Sequence, residues 1–252
     1  MEILTDPKTD ISWETYDDTE CVEKFGKLAS RIFVPSEKAY DRFMAEFINP
    51  SWKKVLIPGN LFSSDCSDDC IEGRPDFNPE YDFPFDPAWH RDHLEPLFRI
   101  LHEDGTERLI VSTPFSSKDL NQIPPDSPHT FEKTIVCPSD RHSVYVAVYR
   151  YTYSIGHTFM FPFDGRWGFS GDHEDVGVLG GEPELIDRFV NYYGGMEALQ
   201  KAFRVLLKDH LSAGHWPVAG WKAIYQDFNW PWPFDSDDGF PSKFILEFLS
   251  RS

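Results

Sequence analysis

WGFSGDHEDVGVLGGEPELIDRF, residues 167–189, changes from strand-like to helix-like spacing across a double glycine. Two apolar runs, WGFS and VGVL, stand on either side of the acidic Asp172, His173, Glu174 and Asp175, and the second runs into Gly180-Gly181. They read as a hairpin in which Trp167 and Phe169 alternate with smaller residues and Val176 and Val178 pair across from them. Pro183 takes a first-turn position, and Leu185, Ile186, Phe189 and Val190 recur at three and four residues. The hairpin therefore feeds an amphipathic helix. A strand, two glycines and a helix start can be an anion cradle, a catalytic corner or a plain structural junction.

The cradle reading needs free N–H groups at the helix start and a longer glycine pattern. Gly180-Gly181 supplies neither, and Glu182 and Glu184 occupy the first turn, where they complement the dipole and repel a phosphate. Gly168-Phe169-Ser170-Gly171 begins like a nucleophile elbow, but the fifth position is Asp172, and such a serine needs a strand-to-helix turn rather than a hairpin. Trp167, Gly168, Gly180 and Gly181 are accordingly read as a structural motif, with a positive φ expected at Gly181 as the reason for its glycine.

Working outward, ERLIVST (107–113), TFEKTIVC (130–137), HSVYVAVYRYTYS (142–154) and HTFMFPF (157–163) are rich in β-branched and aromatic residues and lack helical spacing. All four read as strands. Before them, Val22, Phe25, Leu28, Ala29, Ile32 and Phe33 mark a helix from Asp18 to about Phe33, and Ser36 caps a second helix that Asn49-Pro50 stops. Residues 58–88 show neither periodicity and read as a long loop. A helix through Trp89, Leu94, Leu97 and Leu101 follows, with Pro96 expected to break it near Leu94. After Gly194-Gly195 a longer helix carries Met196, Leu199, Phe203, Leu206, Leu207 and Leu211. The expectation is one α+β domain over 1–252: helical over 1–105, mainly strands over 106–181 and helical over 182–252. Its central sheet is mostly antiparallel and flanked by N-terminal and C-terminal helices.

The 24 basic and 42 acidic residues leave a net charge of −18. That sign repels phosphate backbones and anionic lipid, so neither nucleic acid nor membrane is an expected partner, whereas a basic protein is attracted. The start MEILTDPKTD has acids and no apolar run, no stretch reaches the ~18 apolar residues of a membrane helix, and four cysteines are too few for a disulfide scaffold. A cytoplasmic protein is expected.

Metal chemistry has one candidate set, Cys66 and Cys70 in SDCSDDC with His90 and His93 in HRDH, which could make a tetrahedral zinc site. The pairs are separated by about twenty residues filled with prolines and aromatics, and the spacing is not that of a tight knuckle. DSDDG at 235–239 puts its glycine one position early for a calcium loop. Cys137 and His142 form a nucleophile and base only on paper. No cofactor is expected.

The line from Arg166 to Val190, a Trp-Gly strand, a short acidic turn, an apolar strand ending in Gly-Gly and an acidic amphipathic helix, resembles bacterial proteins related to polymorphic-toxin immunity proteins. The resemblance covers about a tenth of the chain. It implies a protein that works by binding rather than catalysis, with a cognate toxin as partner. The charge agrees independently, because an acidic protein gains encounter rate against a cationic active site. WPWPFDSDDGF (230–240) sets Trp230, Trp232 and Phe234 beside Asp235, Asp237 and Asp238 on a proline-stiffened segment. It is the expected partner-binding surface; a loop folding its tryptophans inward is the alternative. A metal-dependent enzyme using Cys66, Cys70, His90 and His93, and an acidic scaffold or adaptor, remain as the other functions.

Overall fold

The computed structural model describes residues 1–5, 12–33, 48–58, 93–112, 134–147, 158–171, 176–213 and 218–234. Its described strands are β1 (Glu2–Thr5), β2 (Ser12–Tyr16), β3 (Lys53–Pro58), β4 (Arg108–Ser112), β5 (Thr134–Pro138), β6 (Thr158–Pro162), β7 (Trp167–Gly171) and β8 (Val176–Gly181). They form one sheet in the order β1-β2-β5-β4-β6-β7-β8-β3, and every pairing is antiparallel. Helices are α1 (Asp18–Ile32), α2 (Glu95–Glu103), α3 (Arg141–Ala147), α4 (Pro183–Tyr193), α5 (Met196–Ala213) and α6 (Val218–Asp227). The chain is mixed α+β.

Residues 1–105, expected to be helical, hold three of the strands. β1 and β2 are four and five residues long, too short to show a period, and the Val55–Ile57 run of β3 is buried throughout. A short continuous apolar run does not separate strand from helix by pattern alone. The second expected helix, from Ser36, lies outside the described residues except for Ile48. The helix expected from Trp89 begins at Glu95, with Pro96 in its first turn. There the proline, lacking an N–H that would be unpaired anyway, starts the helix instead of breaking one.

HSVYVAVYRYTYS begins as helix, not strand. The Asp140 carboxylate accepts hydrogen bonds from the Ser143 amide at 2.9 Å and the Ser143 hydroxyl at 2.6 Å, and the Val144 amide donates to the Asp140 carbonyl at 3.1 Å. This cap nucleates α3, whose buried Val144 and Ala147 are three residues apart on one face. Local capping thus overrides the β-propensity of the valines and tyrosines. Residues 148–157 lie outside the described part.

The hairpin of the opening stretch forms, in a different register. Trp167 stands opposite Gly181, Phe169 opposite Leu179 and Ser170 opposite Val178. Gly180 and Gly181 end β8 and do not turn the chain into the helix; Glu182 caps α4 without a side-chain bond. The expected positive φ at Gly181 is absent. Close approach is the reason for its glycine: a Cβ there would lie 2.8 Å from Trp167 Cβ and 3.0 Å from the Arg166 carbonyl oxygen.

The core is built across these strands. Phe33, just after α1, lies with its ring centroid 4.5 Å from Phe159 and 5.5 Å from Phe161, and its backbone bridges to Ile48. Trp13, Trp167, Phe169, Phe189, Phe203 and Trp221 are all buried. α4 lies against β3 and β8, and its Asp187 pairs with Lys53 at the start of β3.

Candidate protein-docking surface

The C-terminal described segment is placed by two helix ends. α4 stops where Gly194 takes φ 103°, which favours glycine, and α5 then starts at Met196. α6 ends at Asp227; two residues on, Asn229 takes φ 53°, and the Trp230 amide donates back to the Tyr225 carbonyl at 2.8 Å. Asparagine tolerates the left-handed region better than most side chains, so it reverses the chain here at low strain. The Trp-Pro-Trp-Pro-Phe run consequently folds back over α5 and α6.

Trp230 does not serve as an exposed anchor. It is buried, with its ring edge-on to Phe203 and Tyr225, each at 5.7 Å. Its indole is flat and large enough to close the gap between α5 and α6, and a hydrophobic gain of that size outweighs exposure. Trp232 and Phe234 remain half-buried. Trp232 stacks edge-on to Tyr225 at 5.3 Å and to Phe234 at 5.6 Å. Lys222 Nζ sits 5.4 Å from the Trp232 ring and the Arg204 guanidinium 5.5 Å from the Phe234 ring. Those contacts hold two aromatic faces at the surface in fixed orientation. Asp235, Asp237 and Asp238 lie outside the described residues.

Beneath this pair the Tyr225 hydroxyl is buried, with no hydrogen-bond partner among the described residues. Burial pushes its pKa upward, opposed by the charge of Arg204. The Tyr225 ring packs edge-on against Phe203, Trp230 and Trp232.

The other sequence candidates are scattered. Trp167 is buried at the β7–β8 junction, and Gly168 and Gly180 face each other across it. His93 is buried, its Nδ1 sharing a 2.6 Å hydrogen bond with the Tyr193 hydroxyl, so it ties the start of α2 to the end of α4. Cys66, Cys70 and His90 lie outside the described residues. Among the described residues no group of three or more His, Cys, Asp or Glu side chains is placed to hold a metal. Ser170 is buried inside β7. Cys137 is buried too, and burial, reinforced by Asp140, pushes its thiol up to about 12, while His142 is exposed. A thiol held that far above neutrality carries little thiolate at pH 7.

Sequence reasoning missed two polar clusters. In one, Arg188 reaches Asp104 at 2.8 Å and Glu103 at 3.0 Å, Arg166 reaches Asp104 at 3.2 Å and Asp164 at 2.8 Å, and the Tyr192 hydroxyl donates to Glu103 at 2.7 Å. In the other, Arg108 pairs with Glu14 at 2.8 Å, and Tyr16 donates to Glu14 while accepting from Lys24. Only the Arg99 to Glu103 pair, four apart on α2, was legible as a helical spacing. Arg166 with Asp164 and Tyr16 with Glu14 are only two residues apart, a spacing that does not announce a pair, while the partners of Arg188, Arg108 and Tyr192 come from elements far apart in sequence. Among the described residues no helix is long and apolar enough to cross a membrane. Comparison with protein-family models, with curated proteins and with solved structures finds no match to this chain.

Proposed function

We propose that this chain is a non-catalytic binding protein of the immunity type: a cytoplasmic bacterial protein that neutralises a cognate basic toxin domain by occluding it, without a cofactor. The reading takes the sheet to be flanked by the N-terminal and C-terminal helices and to serve as a rigid platform. The observation that carries it is the pair Trp232 and Phe234, held half-buried at the end of α6 and running directly into the acids of FDSDD, on a chain of net charge −18. Rigid aromatics give contact area at small entropic cost, and the surrounding negative field speeds encounter with a cationic surface.

The test is protection of a cell that expresses the candidate toxin, together with association kinetics on the purified pair. Association slows steeply as salt rises from low to physiological, while dissociation changes little. Trp232→Ala with Phe234→Ala weakens binding about tenfold or more without lowering the melting temperature. A salt-independent association rate, or a double variant that protects fully, overturns the reading.

A further inference from the structure

Tyr225 of α6 is 2% exposed, and its hydroxyl is closed to solvent without a hydrogen-bond partner among the described residues. A phenylalanine would fill the same ring site and avoid that cost, because a buried hydroxyl left unpaired destabilises the fold. The ring lies between two layers of aromatics. Phe203 and Trp230, both buried, stand at 5.7 Å each on its inner side. Trp232, half-buried and 5.3 Å away, is its outer cover.

Contacts at the surface hold Trp232 in that place. Its ring meets Phe234 edge-on at 5.6 Å, and the exposed Lys222 sets its Nζ 5.4 Å from the indole. Pro231 and Pro233, on either side, have no N–H with which to pin the segment to a neighbour. A tryptophan side chain moves between discrete staggered positions, so turning Trp232 off Tyr225 gives up these contacts and leaves Trp230 in the core.

We infer that Trp232 is a lid over the Tyr225 hydroxyl: it stands closed in the free chain and swings off as a partner docks, and the uncovered hydroxyl then donates a hydrogen bond to an acceptor oxygen of that partner. The inference deepens the reading of a binding protein and rests on it for the partner. The unpaired hydroxyl burdens the free chain alone, so pairing it in the complex adds to binding. That is the reason for a tyrosine where a phenylalanine would fit.

The lid is tested on the full chain without a partner. Tyrosine labelled with carbon-13 at Cζ reports the ionisation of Tyr225 by NMR, with Tyr225→Phe to assign the signal and circular dichroism to check the fold at each pH. Burial holds the Tyr225 pKa above the ordinary 10 in the wild type, and Trp232→Ala brings the midpoint down toward that value. A midpoint that stays as high in Trp232→Ala places the cover elsewhere and overturns the inference. The donor is tested on the toxin pair whose kinetics are described above. Tyr225→Phe melts at or above the wild-type temperature, yet its complex dissociates about tenfold faster while association is unchanged. A Tyr225→Phe complex as long-lived as the wild type also overturns the inference, and leaves the binding function standing. A lowered midpoint in Trp232→Ala, with no toxin neutralised by the wild type, keeps the lid and removes the binding function together with the receiver of the hydrogen bond.

Discussion

The side chain of Ile32 lies directly over Gly168: a Cβ on that glycine would come 2.3 Å from Ile32 Cγ2. Cγ2 is attached to the Ile32 Cβ and cannot swing away as the end of a long side chain could. Ile48 stands over Gly180 in the same way, at 2.4 Å. The two glycines, opposed across β7 and β8, make a floor on which α1 and Ile48 settle. Gly168→Ala should lower stability by about 1–3 kcal/mol, as overpacking of a filled site does. In an Ile32→Ala background the same substitution should cost measurably less, because its contact is gone. Denaturant melts of the four proteins check this, and additive costs would show that the contact is not what matters.

Glu103 at the end of α2 should titrate low. The Tyr192 hydroxyl, followed by the Arg188 guanidinium, holds its carboxyl at about 2 against the ordinary 4.5. A carboxylate depressed in the folded state stabilises the fold above its unfolded pKa and loses that contribution as pH falls through the folded value. The window here runs from about 4.5 down to about 2. Carboxyl carbon NMR of Glu103 should give the low midpoint, and Tyr192→Phe should raise it. Being at the surface, the effect should shrink with added salt. An ordinary midpoint in the wild type would mean that the network does not persist in solution.

Cys21 and Cys137 are buried thiols; Cys21 Sγ shares a 2.7 Å hydrogen bond with the Thr134 hydroxyl, and burial pushes the Cys137 thiol up to about 12. Neither should react with iodoacetamide at pH 8 in the folded protein, and both should react in denaturant. Peptide mapping after labelling reads each cysteine separately. Rapid native labelling of Cys137 would contradict its placement in β5.

Trp230 and Trp232, one proline apart, should behave oppositely. Trp230→Ala empties a buried site against Phe203 and Tyr225 and should cost about 3–5 kcal/mol. Trp232→Ala, at a half-buried position, should change stability far less while weakening partner binding. Thermal melts and kinetics on the same two variants separate the roles, and a matched loss of stability would make Trp232 a core residue as well.

Tyr225→Phe should be neutral or raise stability by up to about 1 kcal/mol, since the buried hydroxyl has no hydrogen-bond partner among the described residues. A loss of more than that in a denaturant melt would reveal a partner for the hydroxyl.

Elements whose spacing follows from local chemistry are legible in the letters of the sequence. The alternating and β-branched runs of β4, β6, β7 and β8 stand in its letters, as do the three-and-four stripes of α1, α4 and α5, because side-chain period follows directly from backbone geometry. So does the net charge of −18. The remainder depends on capping and packing that no side-chain period encodes. HSVYVAVY opens as helix because Asp140 and Ser143 close a cap that β-propensity did not foresee. Trp167 meets Gly181 because register is set by what fills each face, and Gly168 is glycine because Ile32, far away in sequence, rests on it. Of the proposed surface, the letters held its aromatic and acidic residues. That Trp230 turns inward and Trp232 and Phe234 stay at the surface came from the space between α5 and α6, which accepts one indole and leaves the next ring half outside.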